Sequence, residues 1–141
     1  GVEVLQNRAM RKGALKFLCD VGINIDDPDR TVEKLSGGQR HAVAISKGAF
    51  WTEKILILDE PTAALGVKET GRILEMILEL KKKGLSIIFI THNMEHAFMV
   101  ADRFFVLRVG EKVGERRKEE TDHEEIVKMI TGAIFMKDAR A

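Results

Sequence analysis

The order strand, helix, strand near the middle of the sequence most constrains its fold. Two short, largely apolar runs, Ile55–Leu58 and Ser86–Ile90, are typical of strands, and an amphipathic helix pattern covers Val67–Lys83 between them. A helical crossover of this length joins neighbouring strands that point in the same direction, with a right-handed connection. Continuous apolar runs are typical of strands that are covered on both faces. The sequence therefore predicts an α/β fold with a parallel sheet.

Polar residues follow both predicted strands at the point where each strand ends. Asp59 and Glu60 follow the first strand, and Thr91 and His92 follow the second. Because ligands bind outside the carboxyl ends of parallel strands, these side chains mark a candidate site. One carboxylate can hold Mg²⁺, a second can orient or deprotonate a water, and a histidine can contact a phosphate oxygen. The alternative is a strand-end turn with exposed acidic residues.

A glycine-rich segment, Leu35–Gln39, precedes the first strand. Ser36 is a favourable N-cap for a helix that is predicted to run to about Phe50. Glycines allow an anion to approach the backbone closely, and the helix N-terminus adds partial positive charge. An ordinary capped helix start is the alternative interpretation. Together with the carboxylates, the segment favours the handling of a nucleoside triphosphate, although no Gly-x-x-x-x-Gly-Lys-Ser/Thr pattern occurs in the 141 residues.

The remaining segments are predicted from helical spacing, turn residues and capping residues. They are a first helix over about Val4–Val21 ended by Gly22, a short helix to about Ala101, a hairpin of Phe104–Val109 and Lys112–Glu115 around Gly110-Glu111, and a last helix that starts at a capping box over Thr121–Glu124 and ends near Gly132.

Composition narrows the class of protein. A length of 141 residues predicts one domain, and a net charge of +1 gives no general electrostatic reason for binding nucleic acid. Cys19 is the only cysteine, so the sequence has no disulfide framework, and a reducing, cytoplasmic setting fits. The apolar runs are too short to predict a membrane span.

Four of these elements together resemble the ABC (ATP-binding cassette) ATPases, in the order and at the spacing of that family. Leu35–Gln39 matches the family's signature sequence, Ile55–Glu60 its Walker B strand, Pro61–Leu65 the loop that follows, and His92 its switch histidine. The resemblance covers roughly Thr31 to Gly132. Two further segments, Ala63–Glu69 and Ile90–Asn93, are similar to the branch that energises the import of simple sugars such as ribose, fructose or galactose.

The resemblance implies a role for each site residue, with ATP and Mg²⁺ as cofactors. Asp59 would hold Mg²⁺ through water, Glu60 would be the general base, and His92 would contact the γ-phosphate. The signature residues would contact ATP held by a second ATPase subunit across a head-to-tail dimer; they are Ser36, Gly37, Gly38 and Gln39. Transmembrane permease subunits would be the other partners, with no nucleic acid, and the protein would lie in the cytoplasm at the inner face of the cell membrane.

The resemblance also implies the fold and that only part of it is expected in this chain. The expected fold is a partial P-loop NTPase-like parallel sheet core with part of the helical signature subdomain and a C-terminal hairpin and helix. Residues 1–141 would form a single partial domain, with the helical signature region over about 1–50 and the Walker B strand, switch histidine and C-terminal elements over about 51–141.

The chain departs from the family pattern at several points. The phosphate loop, the adenine-stacking aromatic residue and the glutamine loop lie N-terminal to the signature in this family, and none is present here. We therefore expect the C-terminal portion of the domain, which alone would be inactive and would self-associate through exposed sheet surface. Gly66 stands where many members carry Asp.

Two other functions fit parts of the pattern. An ABC-type ATPase of DNA repair or chromosome structure would share the signature, but those proteins have long heptad arms that this sequence lacks. His92-Asn93-Met94-Glu95-His96 matches the His-x-x-Glu-His pattern of one class of zinc metalloprotease, although His92 adjoins a strand and not a helix.

Overall fold

The computed structural model describes residues 7–20, 27, 29–52 and 54–133. The chain divides after Ile90 into two compact units. The first unit contains α1 (Asn7–Asp20), α2 (Gly37–Trp51), β1 (Ile55–Asp59), α3 (Val67–Lys82) and β2 (Ser86–Ile90). The second contains α4 (Met94–Val100), β3 (Arg103–Arg108), β4 (Glu111–Arg117) and α5 (His123–Thr131). This confirms the predicted α/β fold and order of elements, while the expected helix ends at Val4 and Val21 and the Gly22 stop lie outside the described residues.

The predicted strand–helix–strand unit is present with parallel strands. β1 and β2 pair in register from Ile55 opposite Ser86 to Asp59 opposite Ile90. Along β1, Leu56 and Leu58 are buried, whereas Ile55 and Ile57 are 56% and 62% exposed. The expected coverage of both faces therefore differs from the structure, in which the described residues pack on one face only. An apolar run indicates that a strand can be covered, but not whether one face or both faces are packed.

The buried face of β1 lies against α2, and α2 packs on α3. A Cβ added at Gly48 of α2 would lie 3.1 Å from Leu56 Cδ1. Ser46 Oγ of α2 lies 3.8 Å from Met76 Sδ of α3, and both residues are buried. The apolar stripe of α3 forms the centre of this unit; its fully buried members are Ile73, Leu74, Met76 and Ile77. The stripe follows the helical period that the sequence predicts.

The second unit is a hairpin covered by α5. β3 and β4 are antiparallel, with an irregularity between Val106 and Leu107. The turn residues are Val109 and Gly110, with φ of 50° and 81°, so the turn begins one residue before the predicted Gly110-Glu111 pair. Two residues with positive φ suit the twist of a two-residue hairpin. The core consists of Ala97, Phe104, Val106, Ile126 and Met129.

The start of α5 corrects one predicted detail. The N-cap is Asp122, whose Oδ1 accepts a hydrogen bond from the Glu125 amide at 2.8 Å, and not Thr121 paired with Glu124. Thr121 instead donates its hydroxyl to Glu125 Oε2 at 2.6 Å. Thr and Asp both make good caps, so adjacent cap residues leave the start uncertain by one position. Gly132 ends the helix in the left-handed conformation, as predicted.

Across the described ranges, the helices are all too short or too polar to serve as membrane spans.

Candidate functional site

The N-terminus of α2 is a preformed capping box. Ser36 Oγ accepts a hydrogen bond from the Gln39 amide at 3.2 Å, and Gln39 Oε1 accepts one from the Ser36 amide at 3.0 Å. These two bonds fix the loop before any ligand arrives. The first amides of an α-helix have no partner within the helix, so those of Gly37 and Gly38 are the donors that this end can offer to an anion.

The same loop rests on the chain that follows β1. A Cβ added at Gly38 would lie 2.6 Å from Glu69 Cγ and 2.8 Å from Glu69 Cβ, so only glycine fits against the first turn of α3. A Cβ at Gly37 would lie 3.9 Å from Leu65 Cδ2, which is ordinary contact. Gly38 is buried, whereas Ser36 is exposed. The missing side chain of Gly38 therefore allows α2 to pack closely on α3.

Asp59 is the last residue of β1 and is exposed. It lies on the same face of the strand as Ile55 and Ile57, because successive side chains of a strand alternate between faces. The carboxylate therefore stands at the carboxyl end of a parallel strand, on the face that the described residues leave open. This is where ligands bind in open parallel sheets.

Glu60 has a constrained backbone. Its φ is 45°, in the left-handed region that residues other than glycine rarely adopt. Its amide donates to the Ile90 carbonyl at 2.9 Å, and its carbonyl accepts from the Ala63 amide at 3.0 Å. Such a conformation costs about 1–3 kcal/mol and persists where surrounding structure determines it, often at functional sites. The next β-strand and a tight turn thus both hold Glu60 in place.

A bond between α2 and this turn was not predicted. His41 Nδ1 lies 3.0 Å from the carbonyl oxygen of Pro61, and His41 is half-buried while Pro61 is buried. The Glu69 contact with Gly38 was not predicted either. Glu69 is the third residue of α3, a position at which Glu often reaches back to a helix start, but no sequence signal links His41 to a residue 20 positions away.

His92 belongs to the second unit and is exposed. It precedes Asn93, whose Oδ1 accepts a hydrogen bond from the His96 amide at 3.1 Å and so caps α4. Since α4 begins at Met94, His92 and His96 do not lie one turn apart on a single helix. Within the described ranges, no three His, Cys, Asp or Glu residues are grouped to hold a metal ion, which disfavours the zinc protease interpretation.

The donors present do fit Mg²⁺ that is bound mainly by water and substrate. Mg²⁺ typically takes one or two carboxylates and completes its shell with waters and phosphate oxygens. Asp59 and the neighbouring Glu60 supply carboxylates of that kind. The donor chemistry therefore suits a metal that arrives with a phosphate ligand.

Comparisons with known proteins agree with this geometry. Residues 2–63 match the family model for "ABC transporter". The chain is 43% identical over 133 residues to the xylose/arabinose import ATP-binding protein XylG of Sulfolobus acidocaldarius, covering 94% of this chain and 53% of that protein. It is 43% identical over 130 residues to the fructose import ATP-binding protein FrcA of Rhizobium meliloti, covering 92% of this chain and 50% of that protein. The chain thus spans about half the length of these two relatives.

The structure is also similar to solved ATP-binding cassettes. One is MJ1267, an ATP-binding cassette of an ABC transporter, with a TM-score of 0.74 and 26% identity over 92% of this chain and 53% of that one. Another is the dimeric structure of the bacterial cassette MJ0796, with a TM-score of 0.66 and 26% identity over 84% of this chain and 50% of that one. The α/β elements therefore form part of a nucleotide-binding fold of this type.

Proposed function

Because this chain belongs to the ABC transporter ATPase family, we propose that it carries part of the ATP-hydrolysing site of a subunit that energises sugar import. The observation that carries the proposal is the packing of the Ser36–Gln39 loop on the chain segment that directly follows Glu60. An anion-binding helix end and a strand-end carboxylate pair thus belong to one packed region. We further propose that residues 1–141 are one partial ATPase domain, with the helical region over about 1–50.

The two carboxylates at the end of β1 have different roles. Asp59 holds Mg²⁺ through water, and the metal neutralises charge on the phosphates when it is bound. Glu60 accepts the proton of the attacking water as general base. The bonds of the Glu60 backbone to Ile90 and Ala63 support this role, because they limit the directions that its carboxylate can take.

Two further groups recognise the terminal phosphate. His92 contacts the γ-phosphate of the bound ATP. The signature residues contact the γ-phosphate of ATP in a second ATPase subunit, in a head-to-tail dimer; they are Ser36, Gly37, Gly38 and Gln39. Free amides at a helix N-terminus support this assignment, and a related cassette was solved as a dimer.

The cargo that we propose is a simple sugar. The relatives' names specify import of xylose or arabinose, fructose and ribose, and their identity to this chain is 40–43%. Transmembrane permease subunits would be the other partners, which places the protein in the cytoplasm at the inner face of the cell membrane. The chain alone would self-associate through the exposed face of β1 and β2, where large apolar side chains include Ile57 and Ile88.

The test is the substitution Glu60→Gln in an ATP-hydrolysing protein that carries this chain. Loss of the base is expected to slow hydrolysis by about 10² to 10⁴ while ATP binding is kept. Glu75→Gln is the matched control, since Glu75 is an exposed Glu of α3 in the same unit. Steady-state turnover and nucleotide binding are measured for both variants. Near-normal turnover of Glu60→Gln would remove Glu60 from the role.

A further inference from the structure

Three close approaches join the first turns of α2 to the segment that follows Glu60. A Cβ added at Gly37 would lie 3.9 Å from Leu65 Cδ2, and one added at Gly38 would lie 2.6 Å from Glu69 Cγ. His41 Nδ1 lies 3.0 Å from the Pro61 carbonyl oxygen. Only the last is a hydrogen bond, and it is made to the residue next to Glu60. We propose that His41 is a positioning residue that holds the Ser36–Gln39 loop and Glu60 in one fixed arrangement. This inference rests on the proposed function, because it concerns the same phosphate-binding loop and base.

The chemistry of the bond defines the state of the imidazole. A carbonyl oxygen only accepts, so His41 Nδ1 carries the proton and donates it. Pro61 is buried, and a buried carbonyl without a partner costs free energy. Both the neutral ring protonated at Nδ1 and the imidazolium can donate here. The hydrogen bond therefore restrains the Pro61 carbonyl.

The hydrogen bond between His41 and Pro61 acts on Glu60 through the backbone. Pro61 has a φ fixed by its ring, so a restraint on its carbonyl is passed on to the neighbouring residue. On its other side, Glu60 is restrained by the Ile90 carbonyl, which accepts its amide at 2.9 Å. Glu60 thus lies between an anchor on β2 and an anchor on α2. Loss of the second anchor would let the turn shift relative to the signature loop.

Two variants at this position separate the effect of the hydrogen-bond donor from that of side-chain packing. His41→Leu fills the half-buried site with an apolar side chain but removes the donor. His41→Asn keeps a donor, because its Nδ2 takes the place of Nδ1. Asn and His have similar helix propensity, whereas Leu is the better helix former. If His41 only served the helix, His41→Leu would tighten α2 rather than loosen it.

The readouts need only the 141-residue chain. Nitrogen-15 chemical shifts of the His41 ring are expected to report protonation at Nδ1. Amide hydrogen exchange is expected to accelerate about 2- to 10-fold at both Gln39 and Glu60 in His41→Leu, which is the effect of one lost hydrogen bond. Exchange at Ile77 and Leu80 of α3 serves as the internal reference and should be unchanged. His41→Asn should leave all four amides near the wild-type rates.

Several results would overturn the proposal. They are a neutral His41 protonated at Nε2, unchanged exchange at Glu60 in His41→Leu, or equal acceleration in His41→Asn. None of these measurements involves nucleotide, so their failure would leave the proposed ATPase function standing. Conversely, near-normal turnover of Glu60→Gln would remove Glu60 from the role of general base without altering the exchange rates.

Discussion

The amide nitrogen of Glu60 lies 2.9 Å from the carbonyl oxygen of Ile90. This hydrogen bond extends the pairing of β1 and β2 by one residue beyond Asp59, although the φ of Glu60 is 45° and lies outside the strand region. The side chain of Glu60 thus leaves a backbone that is held by the sheet. A substitution that changes only its carboxylate should therefore report on chemistry rather than on folding.

The 141-residue chain alone is expected not to bind ATP at micromolar concentrations. Triphosphate affinity in such sites comes largely from a Gly-x-x-x-x-Gly-Lys-Ser/Thr loop, and the sequence contains none. The exposed end of α2 contributes about 0.3–1 kcal/mol to anion binding, far less than a specific site requires. Titration calorimetry with and without Mg²⁺ measures this. Micromolar, Mg²⁺-dependent binding would contradict the prediction.

Gly38→Ala and Gly71→Ala are expected to change stability in opposite directions. A Cβ at Gly38 would lie 2.8 Å from Glu69 Cβ, so α2 or α3 must shift, which costs about 1–3 kcal/mol. A Cβ at Gly71, inside α3, would meet nothing within 4 Å. Alanine there should stabilise the chain by about 0.5–1 kcal/mol. Urea unfolding of both variants checks the pair, and a destabilised Gly71→Ala would refute the packing argument.

Val109→Asn is expected to stabilise the hairpin. Val109 is 94% exposed and has a φ of 50°, a conformation that suits Asn and is poor for a β-branched residue. The gain should be about 1 kcal/mol. Val67→Asn is the matched control, because Val67 is 93% exposed but begins α3 with ordinary helical geometry. Thermal unfolding should show a gain for the first variant only.

The stability of the second unit is expected to depend on Glu125 at acid pH. The hydrogen bond from Thr121, together with that from Arg116, holds the pKa of Glu125 below its ordinary value of 4.5. A lowered folded-state pKa gives stability that is present above the unfolded pKa and is lost as the pH falls through the folded pKa. Wild type should therefore lose stability more steeply than Glu125→Gln below about pH 4.5. Unfolding midpoints across that range measure the difference, and parallel curves would contradict it.

Local signals explain most of the fold that the sequence predicts. Ser36 marks a helix start, Gly132 marks a helix end, and both central apolar runs form strands. One error in detail lies at the start of α5, where Thr121 and Asp122 are both favourable caps. The other lies at the hairpin turn, where Val109 has a positive φ that its β-branched side chain does not predict. Of the site residues, the loop and the carboxylates follow from such signals, and their roles remain proposals.

Contacts between distant parts of the chain could not be predicted from the sequence. The packing of α2 on α3 determines both the hydrogen bond of His41 to Pro61 and the close packing of Gly38 against Glu69. No local sequence pattern encodes that packing. The open face of β1 was also missed, because an apolar run looks the same whether one face or both faces are packed.

The shared face of Asp59, Ile55 and Ile57 sets a rule for how β1 can change length during evolution. Side chains along a strand alternate with a period of two, so gaining or losing one residue before Asp59 would move its carboxylate to the packed side. If the change falls before Leu56, it would also turn Leu56 outward and bring Ile57 inward. A gain or loss of two residues would keep each side chain on its present face of the strand. Insertions and deletions of an even number of residues in this strand should therefore be tolerated, whereas those of an odd number should be eliminated.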